Sequence, residues 1–148
     1  MLYLQNKRYF IFPIPGYLIE ASGAAATHQS AQLGIYQLTR ERVRNYPVYK
    51  HKCLDEYLFV GPNGAWRVGP DTSTFKGTHF KNPKKPTPDT PPRSGWQYWN
   101  EEWLDDDTIK IEYAGSTFIT KWTCGVSDGN DSLIFILETS AIFIYFRT

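Results

Sequence analysis

The chain is poor in the residues that cofactor or metal chemistry usually draws on. It has two cysteines, Cys53 and Cys124, too few for a disulfide framework to be read from their spacing. One bridge and two reduced, buried thiols both fit. His28, His51 and His79 stand at no zinc-type spacing from one another or from the cysteines. Neither a GxGxxG string nor a P-loop string occurs, which removes the usual glycine-rich phosphate cradles. The formal net charge is only +1, so no global field favours nucleic acid or an acidic membrane. The C-terminal apolar run, 133–146, contains Glu138 and is too short to span a bilayer. Helical periodicity is missing after residue 33. We therefore expect no cofactor, no metal, no nucleic-acid partner and no membrane span, and we do not expect an enzyme.

What is present points to a small β domain. A chain of 148 residues suits one domain and can bury a core without metals or many disulfides. Aromatic residues make up 16% of it, with five Trp, ten Tyr and nine Phe; such rings serve both small cores and contact surfaces. Ten prolines and eleven glycines predict many turns and short strands. The charges are unevenly spread. Arg40, Arg42, Arg44, Lys50 and Lys52, then Lys76, Lys81, Lys84, Lys85 and Arg93, are answered by Glu101, Glu102, Asp105, Asp106 and Asp107. They read as solvated loops of opposite sign lying near one another.

The N-terminus has two readings. Lys7 and Arg8 precede an apolar run over 9–19, and Ala24-Ala25-Ala26 follows, which is the outline of a secretory signal peptide. Pro13 and Pro15 interrupt the run and Glu20 closes it, so a flexible or strand-forming extension is the alternative. Residues 20–33 suit a short helix or a link. The expected organisation is residues 1–33 as leader or extension and 34–148 as a single β domain, in an extracellular, secreted protein, with a cytoplasmic setting as the alternative.

Strands are predicted near 34–39, 46–52, 56–60, 65–69, 95–99, 108–114, 117–123 and 133–146, the last broken near 138–140. In 108–113, Ile109, Ile111 and Tyr113 share one face while Lys110 and Glu112 take the other. The clearest hairpin is 57–68. A two-residue Asn63-Gly64 loop would make Pro62 a hydrogen-bonded flank, and proline has no N–H to give. A three-residue loop fits better: Pro62 presets φ, Asn63 completes a type I turn and Gly64 takes the left-handed bulge position. Val60 then faces Trp66 and Leu58 faces Val68 on an apolar face, with Phe59 opposite Arg67 on the other beside Tyr57. Between Val68 and Gly95, six prolines (Pro70, Pro83, Pro86, Pro88, Pro91, Pro92) oppose central-strand pairing. An irregular excursion over the surface is expected there. The predicted fold is all-β, a small antiparallel β-sandwich or open barrel with a long Pro-rich loop.

Several short motifs occur in a definite order. They are Tyr46-Pro47-Val48-Tyr49-Lys50-His51, Tyr57-Leu58-Phe59, Gly64-Ala65-Trp66-Arg67-Val68-Gly69-Pro70, Pro91-Pro92 and Gly95-Trp96-Gln97-Tyr98-Trp99. Together they resemble a small eukaryotic aromatic-rich β module found singly or in tandem within larger, often extracellular proteins. The resemblance covers about 34–113. It implies a self-contained β unit used as a building block, and it supplies neither catalytic residues nor a ligand.

Tests of individual chemistries leave one signal. His51 and Cys53 share a strand face but sit about 7 Å apart, side by side rather than in hydrogen-bonding opposition. Asp105-Asp106-Asp107 and Asp128-Gly129-Asn130-Asp131 do not fit an EF-hand loop and read as acidic turns. Glu101 and Glu102 point opposite ways if extended, which does not suit glycoside hydrolysis. Pro88-Asp89-Thr90-Pro91-Pro92-Arg93 has a PxxPxR pattern that chance readily supplies. The aromatic set remains. Trp96, Tyr98, Trp99 and Trp103 crowd into eight residues, with Trp96 and Tyr98 on one face and Trp99 on the other, so at least one large ring should lie near the surface. In a small β domain these rings also serve as plain core. The favoured expectation is non-catalytic recognition of glycan or extracellular-matrix material by Tyr57, Phe59, Trp96, Trp99 and Trp103, with Arg67 as a polar clamp. The alternative is a structural or scaffold subunit whose rings pack against a protein partner. Its oligomeric state is not specified by the sequence.

Overall fold

The computed structural model describes residues 15–114 and, for backbone pairing, Leu133–Glu138 and Ala141–Phe146. The predicted strand at 117–123, Cys124 and the acidic turn at 128–131 lie outside the described residues, as do residues 1–14. In chain order the elements are β1 (Gly16–Glu20), α1 (Ala24–His28), a 3-10 turn (Ser30–Gln32), β2 (Gly34–Val43), β3 (Tyr46–His51), β4 (Tyr57–Val60), β5 (Trp66–Gly69), β6 (Phe80–Asn82), β7 (Gln97–Asn100), β8 (Glu102–Asp105) and β9 (Lys110–Ala114). Two further strands, β10 (Leu133–Glu138) and β11 (Ala141–Phe146), pair as a hairpin of their own.

The first nine strands form one antiparallel sheet in the order β8-β7-β6-β5-β4-β3-β2-β1-β9. Consecutive strands neighbour each other from β1 to β8, and then β9 returns to pair with β1. Only residues 106–109 separate β8 from β9. That length of chain reaches at most about 18 Å, whereas the two edges of a flat nine-stranded sheet lie about 38 Å apart. The sheet must therefore curl until its edges approach, and it forms a half-barrel. This is the open-barrel form of the expected fold; the nine strands do not divide into two stacked sheets.

The alternation of side chains then separates inside from outside. Tyr17, Ile19, Tyr36, Tyr49, Leu58, Val60, Trp66, Val68, Phe80, Tyr98 and Ile111 come from eight different strands and, with Trp96, Ile109 and Ala25, make one buried cluster. The 57–68 hairpin has the predicted register, with Leu58 opposite Val68, Phe59 opposite Arg67 and Val60 opposite Trp66. Its loop is the three-residue form. Gly61 N donates to Ala65 O, Gly64 N donates to Gly61 O, and Gly64 has φ +77°, the left-handed value the bulge requires.

Two strands, β6 and β8, were not expected, and a third, β1, matches only the strand-forming alternative for the N-terminal stretch. β1 lies in the stretch read as a leader, yet it pairs with β2 on one side and β9 on the other. A cut at Ala24–Ala26 would therefore take a strand from between two others. β6 lies inside the proline-rich excursion, and β8 carries the acidic residues Glu102 and Asp105 that suggested a loop. The short helix is α1.

The joint between β8 and β9 is tied to the start of α1. Asp106 Oδ2 accepts from Ala25 N at 2.9 Å, and Oδ1 accepts from Thr108 N at 2.9 Å and Thr108 Oγ1 at 2.6 Å. Thr108 Oγ1 in turn accepts from Gly23 N at 2.8 Å. Asp106 thus serves one of the unpaired first-turn N–H groups of a helix that has no side-chain cap of its own. Burial opposes ionisation of Asp106, but the hydrogen bonds from Thr108 and Ala25 outweigh it and hold the carboxyl below its ordinary value. A carboxyl depressed in the folded state stabilises the fold above its unfolded pKa, and that contribution is lost as pH falls through the folded one. Asp106→Asn turns an amide N–H toward another donor and should cost about 1–3 kcal/mol at neutral pH. Urea denaturation of both proteins should show this gap at pH 7 and its shrinkage as the medium is acidified below the carboxylate range. An equal gap at both pH values would refute the assignment.

Candidate functional site

A cleft of about 500 Å³ opens on the outer side of the sheet, lined by Asn63, Arg67, Phe75, Gly77, Thr78, Trp99 and Trp103. The face of the sheet on which it opens follows from strand parity. Across β5, β6, β7 and β8 the pairs Arg67–Lys81, Lys81–Gln97 and Gln97–Asp105 set a polar row opposite the core face. Beside it, at the tight β7–β8 turn, Trp99 lies directly across from Trp103. The two indoles meet edge to face with centroids 5.3 Å apart. Trp99 is 43% exposed and Trp103 half-buried.

The opposite wall is the loop 70–79. Asp71 organises it by accepting from Ser73 N at 2.8 Å, Ser73 Oγ at 2.6 Å and Thr74 Oγ1 at 3.2 Å. The Ser73 bonds hold the exposed Asp71 carboxyl below its ordinary value. Arg44 Nη1 ties the loop to the sheet through Thr72 O and Val60 O, each at 2.9 Å. The loop carries Phe75, 50% exposed, whose ring lies 4.5 Å from the Arg67 guanidinium carbon. On the sheet, Lys81 Nζ lies 4.4 Å from the centre of the Trp103 ring. Each cation thus rests on an aromatic face.

Arg67 is the unusual member. It is only 6% exposed, and its Nε is buried without a hydrogen-bond partner among the described residues. Burial lowers its pKa. It fits because position 61 is glycine: a Cβ there would lie 2.6 Å from Arg67 Cδ and 2.9 Å from Nε. Lys81 is also lowered, first by burial and then by the Arg67 charge.

The expected ligand-binding residues part company here. Arg67, Trp99 and Trp103 come together in the cleft. Trp96 does not: it is 1% exposed and donates its indole N–H to Pro92 O at 2.7 Å. Phe59 is also fully buried, a correction to its expected exposure: it stands across the β4–β5 pairing from Arg67, which is itself buried, so this face of the two strands is not open to water. Tyr57 is half-buried and does not line the cleft. Phe75, Lys81, Asn63 and Thr78 escaped the reading. One signal was legible for Phe75, a large ring isolated among Asp71, Thr72, Ser73, Thr74, Lys76 and Gly77.

Other candidate chemistry resolves into structure. His51 Nε2 donates to Leu33 O while Nδ1 accepts from Cys53 N and Leu54 N, so its nitrogens are committed to backbone. Cys53 is not a free thiol. The PxxPxR segment supplies Pro88 O and Pro92 O to the indoles of Trp66 and Trp96. A partly buried polar pair was not foreseen: His79 Nε2 lies 3.1 Å from Glu56 Oε1. Gln29 Nε2 donates to Trp99 O, so Gln29 Oε1 must accept from His79 Nδ1 at 2.8 Å. Among the described residues no three His, Cys, Asp or Glu side chains form a group suited to a metal ion, and no helix is long and apolar enough to cross a membrane.

Searches of protein-family models, curated proteins and solved structures find no match to this chain.

The coupling between the two cations is directly measurable. Arg67→Met keeps the length of the side chain and removes its charge, so the Lys81 pKa should rise toward its ordinary value. NMR titration of the Lys81 side chain reads this; an unchanged or lower pKa would show that the charges do not sense each other.

Proposed function

We propose that the chain is a non-catalytic recognition module whose cleft holds a glycan or similar matrix material. The observation that carries this reading is the pair of accessible indoles, Trp99 and Trp103, set in a concave wall beside Arg67 and Phe75. A sugar ring presents C–H groups on its faces and hydroxyls around its rim. It suits a site with aromatic faces on two sides and polar groups, here Arg67, Asn63 and Thr78, at the edges. The parts are held on strands and on a loop pinned by Arg44 and Asp71, so much of the ordering needed to bind is already done. The motifs that resemble the small eukaryotic β module contribute Arg67 and Trp99. A secreted setting is consistent with such a ligand, and a cytoplasmic one is the alternative.

Phe75 and Trp99 also provide the second reading, a scaffold subunit that buries these rings against a protein partner. Glycan-array binding followed by calorimetry separates the two. The intact protein should bind at least one glycan as a monomer, and Trp99→Ala and Trp103→Ala should each weaken binding about tenfold or more, with Arg67→Ala as a further control. Absence of binding to every glycan, with stable oligomers in dilute solution, would favour the scaffold and dismiss the glycan reading.

A further inference from the structure

We propose that the cleft selects an acidic saccharide, whose carboxylate or sulfate group supplies the counter-charge that Arg67 lacks while its sugar ring lies on Trp99 and Trp103. This deepens the glycan reading and rests on it.

The starting point is a charge without compensation. A buried guanidinium normally has a carboxylate beside it. The exposed Arg93 has one, pairing with Glu112 at 2.7 Å, yet among the described residues no carboxylate lies within ion-pair reach of the far more buried Arg67. The two nearby acids are engaged elsewhere. Asp105, in the same row of the sheet, accepts from Gln97 Nε2 at 3.0 Å, and Asp71 is held by Ser73 and Thr74.

A second cation sharpens the mismatch. Lys81 stands directly opposite Arg67 in the β5–β6 pairing, and like charges at opposed positions destabilise a sheet. Aromatic faces are the compensation the cleft offers: Phe75 against Arg67 and Trp103 against Lys81. An oxyanion received between the two cations would remove the repulsion and restore the missing charge-assisted hydrogen bonds. The absent side chain at Gly61, which admits the Arg67 stem, fits a backbone arranged to seat this guanidinium.

The number of cations favours a sugar over a polyanion. Nucleic-acid grooves track successive phosphates with many basic side chains and show steep salt dependence. Here one cation, Arg67, lines the cleft with Phe75, Trp99, Trp103, Asn63, Thr78 and glycine, and a second, Lys81, stands beside it across the β5–β6 pairing and over the Trp103 ring. That combination matches a single acidic group on a ring.

Calorimetry with matched pairs tests the proposal: oligogalacturonate against its methyl ester for the carboxylate arm, and dextran sulfate oligomers against dextran oligomers for the sulfate arm. At least one acidic member should bind about tenfold or more tightly than its neutral counterpart. Arg67→Met and Lys81→Met should each reduce that preference, and Gly61→Ala should do so while leaving net charge intact. Thermal melts of the same variants add a reading independent of any ligand. A charge retained for binding costs stability, so Arg67→Met should leave Tm unchanged or raise it. Equal affinity for acidic and neutral members, or a lowered Tm for Arg67→Met, overturns the acidic-ligand inference while leaving glycan recognition standing. Silence of every saccharide overturns both, as does tight binding of single-stranded DNA with the saccharides silent.

Discussion

Four residues join one end of the sheet's strand order to the other, and most of the molecule's geometry follows from that short connection. Because 106–109 cannot span a flat nine-stranded sheet, the edge strand β8 that pairs with β7 and the edge strand β9 that pairs with β1 must be brought close together. The curl this imposes turns one set of alternating side chains inward and the other outward. The joint is also a hydrogen-bonding node. Asp106 and Thr108 bind residues 23–25, so the bend, the entry to α1 and the strand β1 are fixed together. Ile111 N donates to Arg93 O and Asp106 N to Trp96 O, so the segment leading into β7 borders both edges as they approach.

The proline-rich segment then acquires a role that its composition alone does not suggest. An indole buried in the core must find an acceptor for its N–H. A segment rich in proline offers carbonyls with few N–H groups of its own to satisfy. Pro88 O serves Trp66 and Pro92 O serves Trp96, at 2.8 and 2.7 Å. The same segment pins the 61–64 turn, where Lys85 Nζ donates to Asn63 O and Thr87 Oγ1 to Gly64 O. That turn presents Gly61 to the stem of Arg67 and Asn63 to the cleft. The excursion is therefore a support behind the cleft rather than a loose cover over it.

What was legible in the sequence was local. The proline in Pro62-Asn63-Gly64 excluded the shorter loop and so gave the register of β4 and β5, and parity placed Tyr98 inward and Trp99 outward. What was not legible depends on contacts far apart in the chain. β1 reads as a leader because a run of apolar residues is the same whether it enters a membrane-directed pathway or lies between two strands. β6 is too short, and too close to Pro83, to announce itself. β8 looks like loop because Glu102 and Asp105 point to solvent at an edge. Phe59 was assigned to water by a correct register and is buried all the same, with its cross-strand partner Arg67, because alternation separates the two faces of a sheet and does not encode whether the second face is covered. Arg67, Trp99 and Trp103 were each visible as candidates. Their convergence with Phe75 and Lys81 was not, since it requires the 70–79 loop to fold back on β5 and β6.

The outer face of the sheet carries the cost that follows from this convergence. An inward aromatic ring stabilises the domain by leaving water, and the core uses its rings that way. Phe75 and Trp99 keep roughly half their surface in water, while Arg67 gives up its hydration without receiving an ion pair. Each choice is less stable than an obvious alternative, a polar residue in place of the exposed rings or an apolar one in place of the buried cation. Scattered exposed apolar residues need no explanation, and Leu38 and Leu54 are of that kind. Two exposed rings, a cross-strand indole pair and an uncompensated guanidinium gathered in one cleft are a different matter. Such a concentration of locally unfavourable choices is the physical ground on which the proposed recognition site rests, since folding alone gives no reason for it.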